Sequence, residues 1–367
     1  MATKTPKIIL LGIGSGQMDA AAFLKDKGVH IIGCANSSIG CAQPFLDEFY
    51  PIDIKDTDAL IDLAQHHKVN ITISPGSDYG TRSAVIINES LDLTLQISSD
   101  QVQTMCHKYK FRMRLKEHGL DSIAFRLIEH GQTCNNWQHF PAILKPADSQ
   151  GQRGIIFINS IEDIHANLSN VINYSPTKKA LLEEFLDGIE YQAQSFFENE
   201  SLKHCYVMRR EFYNQPYGLL KRMSYPSDLT ENQLWDTRKS ILRIASCFDI
   251  KEGPLMLQFR RVNDTFRIIE ATPRIDGCHF WKLFRYVEGV DLLEEIYCPL
   301  LGLSKSDNRQ SPKFKQISLM PYYEGSQNND SIEGNLIEKH QYYDNLNHVS
   351  PADLPIYRTS YAIVETS

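Results

Sequence analysis

The chain has 367 residues, 42% hydrophobic and 23% charged, with a formal net charge of −7; this is material for two or three packed cores and excludes a disordered or low-complexity protein. The negative balance argues against a general binder of nucleic acid or anionic membrane, which needs a basic field to recruit phosphates, and no run approaches the roughly twenty apolar residues that span a bilayer. Met1 to Lys7 runs straight into a strand-like segment, and the eight dispersed cysteines (34, 41, 106, 134, 205, 247, 278 and 298) form no C-x-x-C pair. A cytoplasmic protein is therefore expected, with most cysteines acting as small buried hydrophobes rather than as zinc or disulfide ligands.

In chain order, Lys7 to Gly12 predicts a buried strand ending in the glycine turn Gly12-Ile13-Gly14-Ser15-Gly16, followed by a helical pattern over Met18 to Lys27. Val29 to Cys34 reads as a second strand, Asp56 to His67 as a helix, and Asn70 to Ser74 as a strand leading into Pro75-Gly76-Ser77-Asp78. Strands alternating with helices imply a parallel sheet whose ligands collect beyond the carboxyl ends of its strands. Ser77 and Asp78, with Ser74 and Gly76, are thus expected to help bind one substrate; the alternative is a plain β/α turn. The glycine turn also invites a nicotinamide-dinucleotide reading. Against it, no third glycine follows at the usual place, and Cys34 to Ser38 lack the acid that would hold a ribose.

Beyond Ser99 the pattern becomes an amphipathic helix, Gln101 to His118, capped by Gly119. Phe140 to Pro146 and Ile155 to Ile158 predict two strands enclosing a polar loop with Gly151 and Gly154, whose backbone N–H groups suit phosphate. A helix over Ile161 to Ile172 and a strand over Ala180 to Leu186 follow. Pro254 to Phe259 and Phe266 to Ile269 predict a hairpin closed by Arg260 to Thr265, in which Gln258 and Glu270 face one another. Glu270 beside a carboxamide and a hydroxyl suits Mg2+, and Arg274 then meets a phosphate or carboxylate; a surface hairpin with an incidental acid is the plain alternative. Strand-like pieces at Gln316 to Met320 and Thr359 to Val364 predict a β-rich appendage.

The order of these motifs, with Leu46-Asp47-Glu48-Phe49-Tyr50 in the first domain, resembles the ATP-grasp superfamily over roughly residues 7 to 305. The likeness is to its carboxylate–amine ligases and the carbamoyl-phosphate-synthase-like branch. It implies a fold of α/β and α+β type: a Rossmann-like pre-ATP-grasp domain (1–100), a two-lobed ATP-grasp domain with a small lobe (101–180) and a large, metal-bearing lobe (181–307), and a C-terminal β-rich extension (308–367). By resemblance, Lys108 and Lys145 hold ATP phosphates beside the loop of Gly151 and Gly154. Glu183 meets the adenine amino group, the backbone of Phe185 and Leu186 pairs with the adenine, and Glu190 accepts the ribose hydroxyls. Gln258, Glu270 and Thr272 match the magnesium positions, and Arg274 the arginine after them. Thr272 departs from the pattern, which has Asn there. Of Arg209, Arg210, Lys221 and Arg222, one is expected to meet the transferring phosphoryl group, and Lys221 or Arg222 is favoured because Gly218 to Met223 reads as a strand after a turn.

The activity so implied begins with attack of a small carboxylate, an amino acid or a related acid, on the γ-phosphoryl group of ATP, giving ADP and an acyl phosphate from which an amine then displaces phosphate. The expected cofactors are ATP and Mg2+, with Mn2+ as an alternative ion. The expected partners are a small-molecule carboxylate and an amine, with a homodimer as the assembly and no nucleic acid or membrane. His279 is a candidate base for the amine. The rival readings are a weak or inactive nucleotide-binding relative, suggested by Thr272, and a nicotinamide oxidoreductase.

Overall fold

The computed structural model describes residues 5–120, 123–149, 154–213, 219–306, 311–323, 334–342 and 358–366. Strands β1 (Lys7–Leu11), β2 (His30–Cys34), β3 (Glu48–Tyr50) and β4 (Ile71–Ile73) make a parallel sheet in the order β3-β2-β1-β4. Helices α1 (Ser15–Asp26), α2 (Thr57–His67) and α3 (Asp78–Ser90) connect its strands or follow them. The continuous apolar run of β1 is explained by burial on both faces. Ile8 and Leu10 enter one core, with α1; Ile9 and Leu11 enter another, with Leu60, Ala84 and Ile87 of α2 and α3.

The single helix expected over 101–118 is two helices, α4 (Ser99–Cys106) and α5 (Lys108–Glu117). His107 is the reason: its extended backbone ends α4, and its Nδ1 accepts from Lys110 N at 3.4 Å to open α5. A small antiparallel sheet follows, ordered β5 (Phe125–Glu129), β8 (Lys179–Glu184), β6 (Ala142–Pro146) and β7 (Ile156–Ile158), and covered by α6 (Ile161–Asn173).

The third sheet is antiparallel and eight-stranded, in the order β13-β12-β9-β10-β11-β14-β16-β15. Its strands are β9 (Ile189–Glu198), β10 (Ser201–Phe212), β11 (Leu220–Tyr225), β12 (Gly253–Val262), β13 (Thr265–Thr272), β14 (Ile317–Tyr323), β15 (Asn335–Gln341) and β16 (Arg358–Glu365). The C-terminal strands thus continue this sheet through the pairing of β11 with β14. The hairpin loop is tighter than expected: only Asn263 and Asp264 turn, at φ 49° and 62°, so Arg260 to Val262 and Thr265 belong to the strands.

Alternation along these strands divides the large sheet's two faces. Leu255, Leu257, Phe259 and Ala271 pack on α4, α5 and α7 (Glu231–Cys247). On the other face Phe196, Tyr206, Met208 and Met223 share a core with α1, α8 (Trp281–Val287) and α9 (Leu292–Leu301). At its β13-β12-β9 end the register gives this second face Gln192, Gln258, Glu270 and Thr272 instead of apolar side chains. Among the described residues no helix is long and apolar enough to cross a membrane.

Candidate functional site

The polar end of the large sheet faces a cleft of about 20 Å3 lined by Asp78, Cys106, Lys108, Arg112, Lys145, Glu183, Glu270 and Thr272 among others. Lys145, on β6, points at β8 and places its Nζ 2.5 Å from Glu183 Oε2. Arg112 of α5 completes the cluster: Nε donates to Glu183 Oε1 at 2.8 Å, while Nη1 and Nη2 donate to the Ile268 and Ile269 carbonyls of β13 at 2.8 and 2.9 Å. Arg112 therefore ties the helix to both sheets. Burial opposes ionisation of Glu183, but Arg112 and then Lys145 prevail and hold its carboxyl down at about 2. Burial lowers the Lys145 ammonium against the pull of Glu183. Lys108, the first residue of α5, reaches the Ser149 carbonyl, at the edge of the loop expected to meet phosphate.

Glu183, expected near an adenine, is thus the counter-ion of the cleft's cations, and both its oxygens are engaged. Leu186 and Phe185 follow β8. The Phe185 N–H donates to the Pro141 carbonyl at 2.9 Å and the Leu186 carbonyl accepts from Arg260, while the Leu186 N–H donates to no described residue. Glu190 is gripped by Arg210 at 2.7 Å and by Arg260 at 3.0 and 3.1 Å. Gly154, at φ +70°, packs beneath Tyr174, where a Cβ would come within 2.8 Å of the ring. Gly151 lies outside the described residues.

On the hairpin, Gln258 stands opposite both Glu270 and Gln192, as the sequence led us to expect for the first pair. Gln258 Nε2 donates to Gln192 Oε1 at 3.4 Å, which leaves the Gln258 carbonyl oxygen for another partner. The Glu270 carboxylate accepts no hydrogen bond from a described residue. Thr272 is 3% exposed, and its Oγ1 is buried without a partner. Carboxylate, carboxamide and hydroxyl oxygens left unsatisfied on one face form a donor set that fits a hard cation such as Mg2+. Among the described residues no group of three or more His, Cys, Asp or Glu could hold a metal without such neutral donors.

The basic residues of β10 and β11 separate by face. Arg210 pairs across from Glu190, which lies in phase with Gln192 and so on the cleft face. Arg222 pairs with Glu211 and is turned to the opposite face, against the expectation for it. Lys221 occupies the bulge beside it, with its Nζ 5.8 Å from the Tyr213 ring centroid. The strand around Lys221 and Arg222 was legible, but its phase depends on pairing with β10 and on that bulge.

Asp78 and Ser77 hold the N-terminal sheet to this site. Ser77 caps α3, its Oγ accepting from Gly80 N at 3.1 Å, and Asp78 Oδ1 accepts from Arg274 Nε at 2.6 Å. Burial opposes the Arg274 charge, yet Asp78 holds its pKa above the ordinary arginine value. The chain then returns over the glycine turn: a Cβ on Gly76, at φ +72°, would lie 2.8 Å from Gly277 Cα, and one on Gly16 3.5 Å from the same atom. Gly16, Gly76 and Gly277 thus allow three backbones to approach. His279 does not line the cleft. Its Nδ1 and Nε2 meet Asp19 Oδ2 at 2.6 Å and the Tyr342 hydroxyl at 2.8 Å, so both ring nitrogens are occupied.

The structure therefore brings Lys108, Lys145, Glu183, Glu270, Thr272 and Asp78 into one cleft, with Arg274 and Gln258 on its border. Sequence reasoning missed Arg112 and Gln192. The signal for Arg112 was its place between Phe111 and Leu115 on the buried side of α5. Gln192 gave none, since β9 and β10 were not read as strands.

Residues 138–280 match the model of the ATP-grasp domain. The chain is 27% identical over 140 residues to the carbamoyl phosphate synthase large chain of Kocuria rhizophila, covering 37% of this chain and 12% of that protein. It is 27% identical over 128 residues to dapdiamide A synthase of Enterobacter agglomerans, covering 32% and 30% respectively. It thus spans less than a third of the length of either relative. In fold it is similar to an L-amino acid ligase from Bacillus licheniformis, with a TM-score of 0.78 at 13% identity, covering 99% of this chain and 94% of that one. Residues 138–280, which include Lys145 on β6 of the small sheet and Glu270 on β13 of the large sheet, thus form an ATP-grasp domain, set in a chain whose fold as a whole is similar to that ligase.

Proposed function

We propose that the chain is an ATP-dependent ligase that activates a small carboxylate as an acyl phosphate and couples it to an amine, releasing ADP and phosphate. The observation that carries this reading is the convergence of Lys108 and Lys145 with Glu270 and Thr272 in one cleft. In the proposed roles, Lys108 and Lys145 neutralise phosphate oxygens, the Leu186 N–H meets the adenine, and Glu190, fixed by its two arginines, accepts a ribose hydroxyl. Gln258, Glu270 and Thr272 would hold Mg2+, which when bound supplies charge neutralisation along the phosphates. Arg274 orients the carboxylate, with Asp78 fixing its guanidinium plane. Arg210, on the cleft face, replaces Lys221 and Arg222 as the basic residue proposed near the transferring group. The four-part division at 100, 180 and 307, a homodimer and a cytoplasmic setting complete the proposal; the eight cysteines, all free of disulfides, favour that compartment.

The test is ADP release from Mg·ATP over a panel of small acids and amines, with the product weighed by mass spectrometry. Release that requires both an acid and an amine is expected. Bound nucleotide with no ADP from any pairing would overturn the ligase reading in favour of a non-catalytic relative, for which Thr272 at a metal position speaks.

A further inference from the structure

A second cavity, of about 100 Å3, lies on the other side of the Asp78–Arg274 ion pair, between β4, the segment 94–97, the start of β12 and helix α9. Its walls are mainly apolar, with Ile71, Ile73, Val85, Ile275, Ile296 and Leu300 among them. The polar residues lining it mostly turn inward. Ser74 Oγ donates to the Leu11 carbonyl at 2.7 Å, Thr81 Oγ1 to the Ser74 carbonyl at 3.0 Å, and the Asn88 amide exchanges two hydrogen bonds with the Thr72 backbone. The Tyr297 and Thr94 hydroxyls, the Gln96 carboxamide and the buried Thr72 Oγ1 have no hydrogen bond to a described residue, and Glu252 adds a carboxylate to the wall. Arg274 lines the cavity too, and while its Nε and Nη1 are engaged by Asp78 and Ile275, its Nη2 makes no hydrogen bond to a described residue.

We infer that this cavity receives the side chain of the carboxylate substrate, whose carboxylate meets Arg274, and that this side chain is a compact hydrocarbon. The inference rests on the ligase reading and narrows its substrate class. A cavity of ~150 Å3 holds a six-carbon ring, so 100 Å3 suits roughly four to six carbons. A dicarboxylic tail finds no cation in the wall besides the Arg274 already taken by the first carboxylate, meets the Glu252 carboxylate there, and loses its hydration on entry.

The test titrates the full chain, saturated with Mg·ADP, with acetate, butanoate, 4-methylpentanoate and succinate by calorimetry, and repeats this with Leu95→Trp. Leu95 is 37% exposed at the cavity's rim, so the larger ring fills space without entering a core. The proposal expects affinity to rise about fourfold for each added methylene up to 4-methylpentanoate. Succinate should bind at least tenfold more weakly than 4-methylpentanoate, and Leu95→Trp should weaken 4-methylpentanoate tenfold while Mg·ADP binding stays unchanged. Tighter binding of succinate, no binding of any aliphatic acid, or indifference to Leu95→Trp would overturn it. Aliphatic acids that bind in this graded way without ever prompting ADP release from Mg·ATP, whatever the amine, would instead sink the ligase reading and leave the cavity assignment standing.

Discussion

Replacing Arg112 with Met tests whether the buried cluster beneath the cleft holds the fold together. The substitution removes the guanidinium fork from Glu183 and leaves the Ile268 and Ile269 carbonyls without their donor. Breaking a buried pair costs about 3–5 kcal/mol, and because Lys145 still neutralises Glu183 the lower end applies. Linkage leads to a similar figure. A carboxyl held at about 2 instead of 4.5 corresponds to roughly 3 kcal/mol, to which Arg112 contributes ahead of Lys145. The sign follows from the depressed value: this stability is fully present above pH 4.5 and is lost as the pH falls towards 2. Thermal unfolding followed by circular dichroism should show Arg112→Met melting about 4 °C below the wild type at pH 7, with the gap narrowing below pH 4.5. A variant within 1 °C of the wild type at pH 7, or an undiminished gap at pH 3, would refute the reasoning.

Thr272→Val removes a buried hydroxyl that has no partner, so the free protein should gain up to about 1 kcal/mol in a urea melt while the Mg2+ concentration for half-maximal ADP release rises several-fold. Unchanged magnesium dependence would take Thr272 out of the metal site. Glu270→Gln should cut kcat/KM for ATP by roughly 10²-fold or more with little change in melting temperature, since the carboxylate holds no described partner. Gly76→Ala should cost about 3 kcal/mol, because its Cβ would meet Gly277 Cα at 2.8 Å on top of the strain at φ +72°. Gly28→Ala, at φ +76° with no atom within 4 Å, should cost only the roughly 1–2 kcal/mol of strain. Equal losses would show that the contact among Gly16, Gly76 and Gly277 is not tight.

What could be read from the sequence was what is local. Two apolar runs around Asn263-Asp264 specify a hairpin, and its turn sets Gln258 opposite Glu270. Lys145 was legible because a lysine at a strand's end beside a glycine loop has few structural uses. The remainder depends on long-range register. Glu190, Arg210 and Arg260 come from three strands, and which of Arg209, Arg210 and Arg222 faces the cleft is decided by pairing and a bulge that no local pattern encodes. Arg112 was hidden in the basic run Lys108 to Lys116, where only the helical phase set by the break at His107 distinguishes a buried cation from solvated ones. His279 drew attention as a lone histidine, and its partners Asp19 and Tyr342 lie over sixty residues away on either side.

Calorimetric titration of Mg·ATP into the wild type and into Lys145→Met tests most directly whether the cleft grips nucleotide. Lys145→Met leaves Glu183 paired with Arg112, so the fold should persist while one phosphate contact worth about 1.5–3 kcal/mol is lost. Saturable heat in the wild type, with affinity reduced at least tenfold in the variant, is the result predicted. No heat from the folded wild type, or equal affinity in both proteins, would contradict the account.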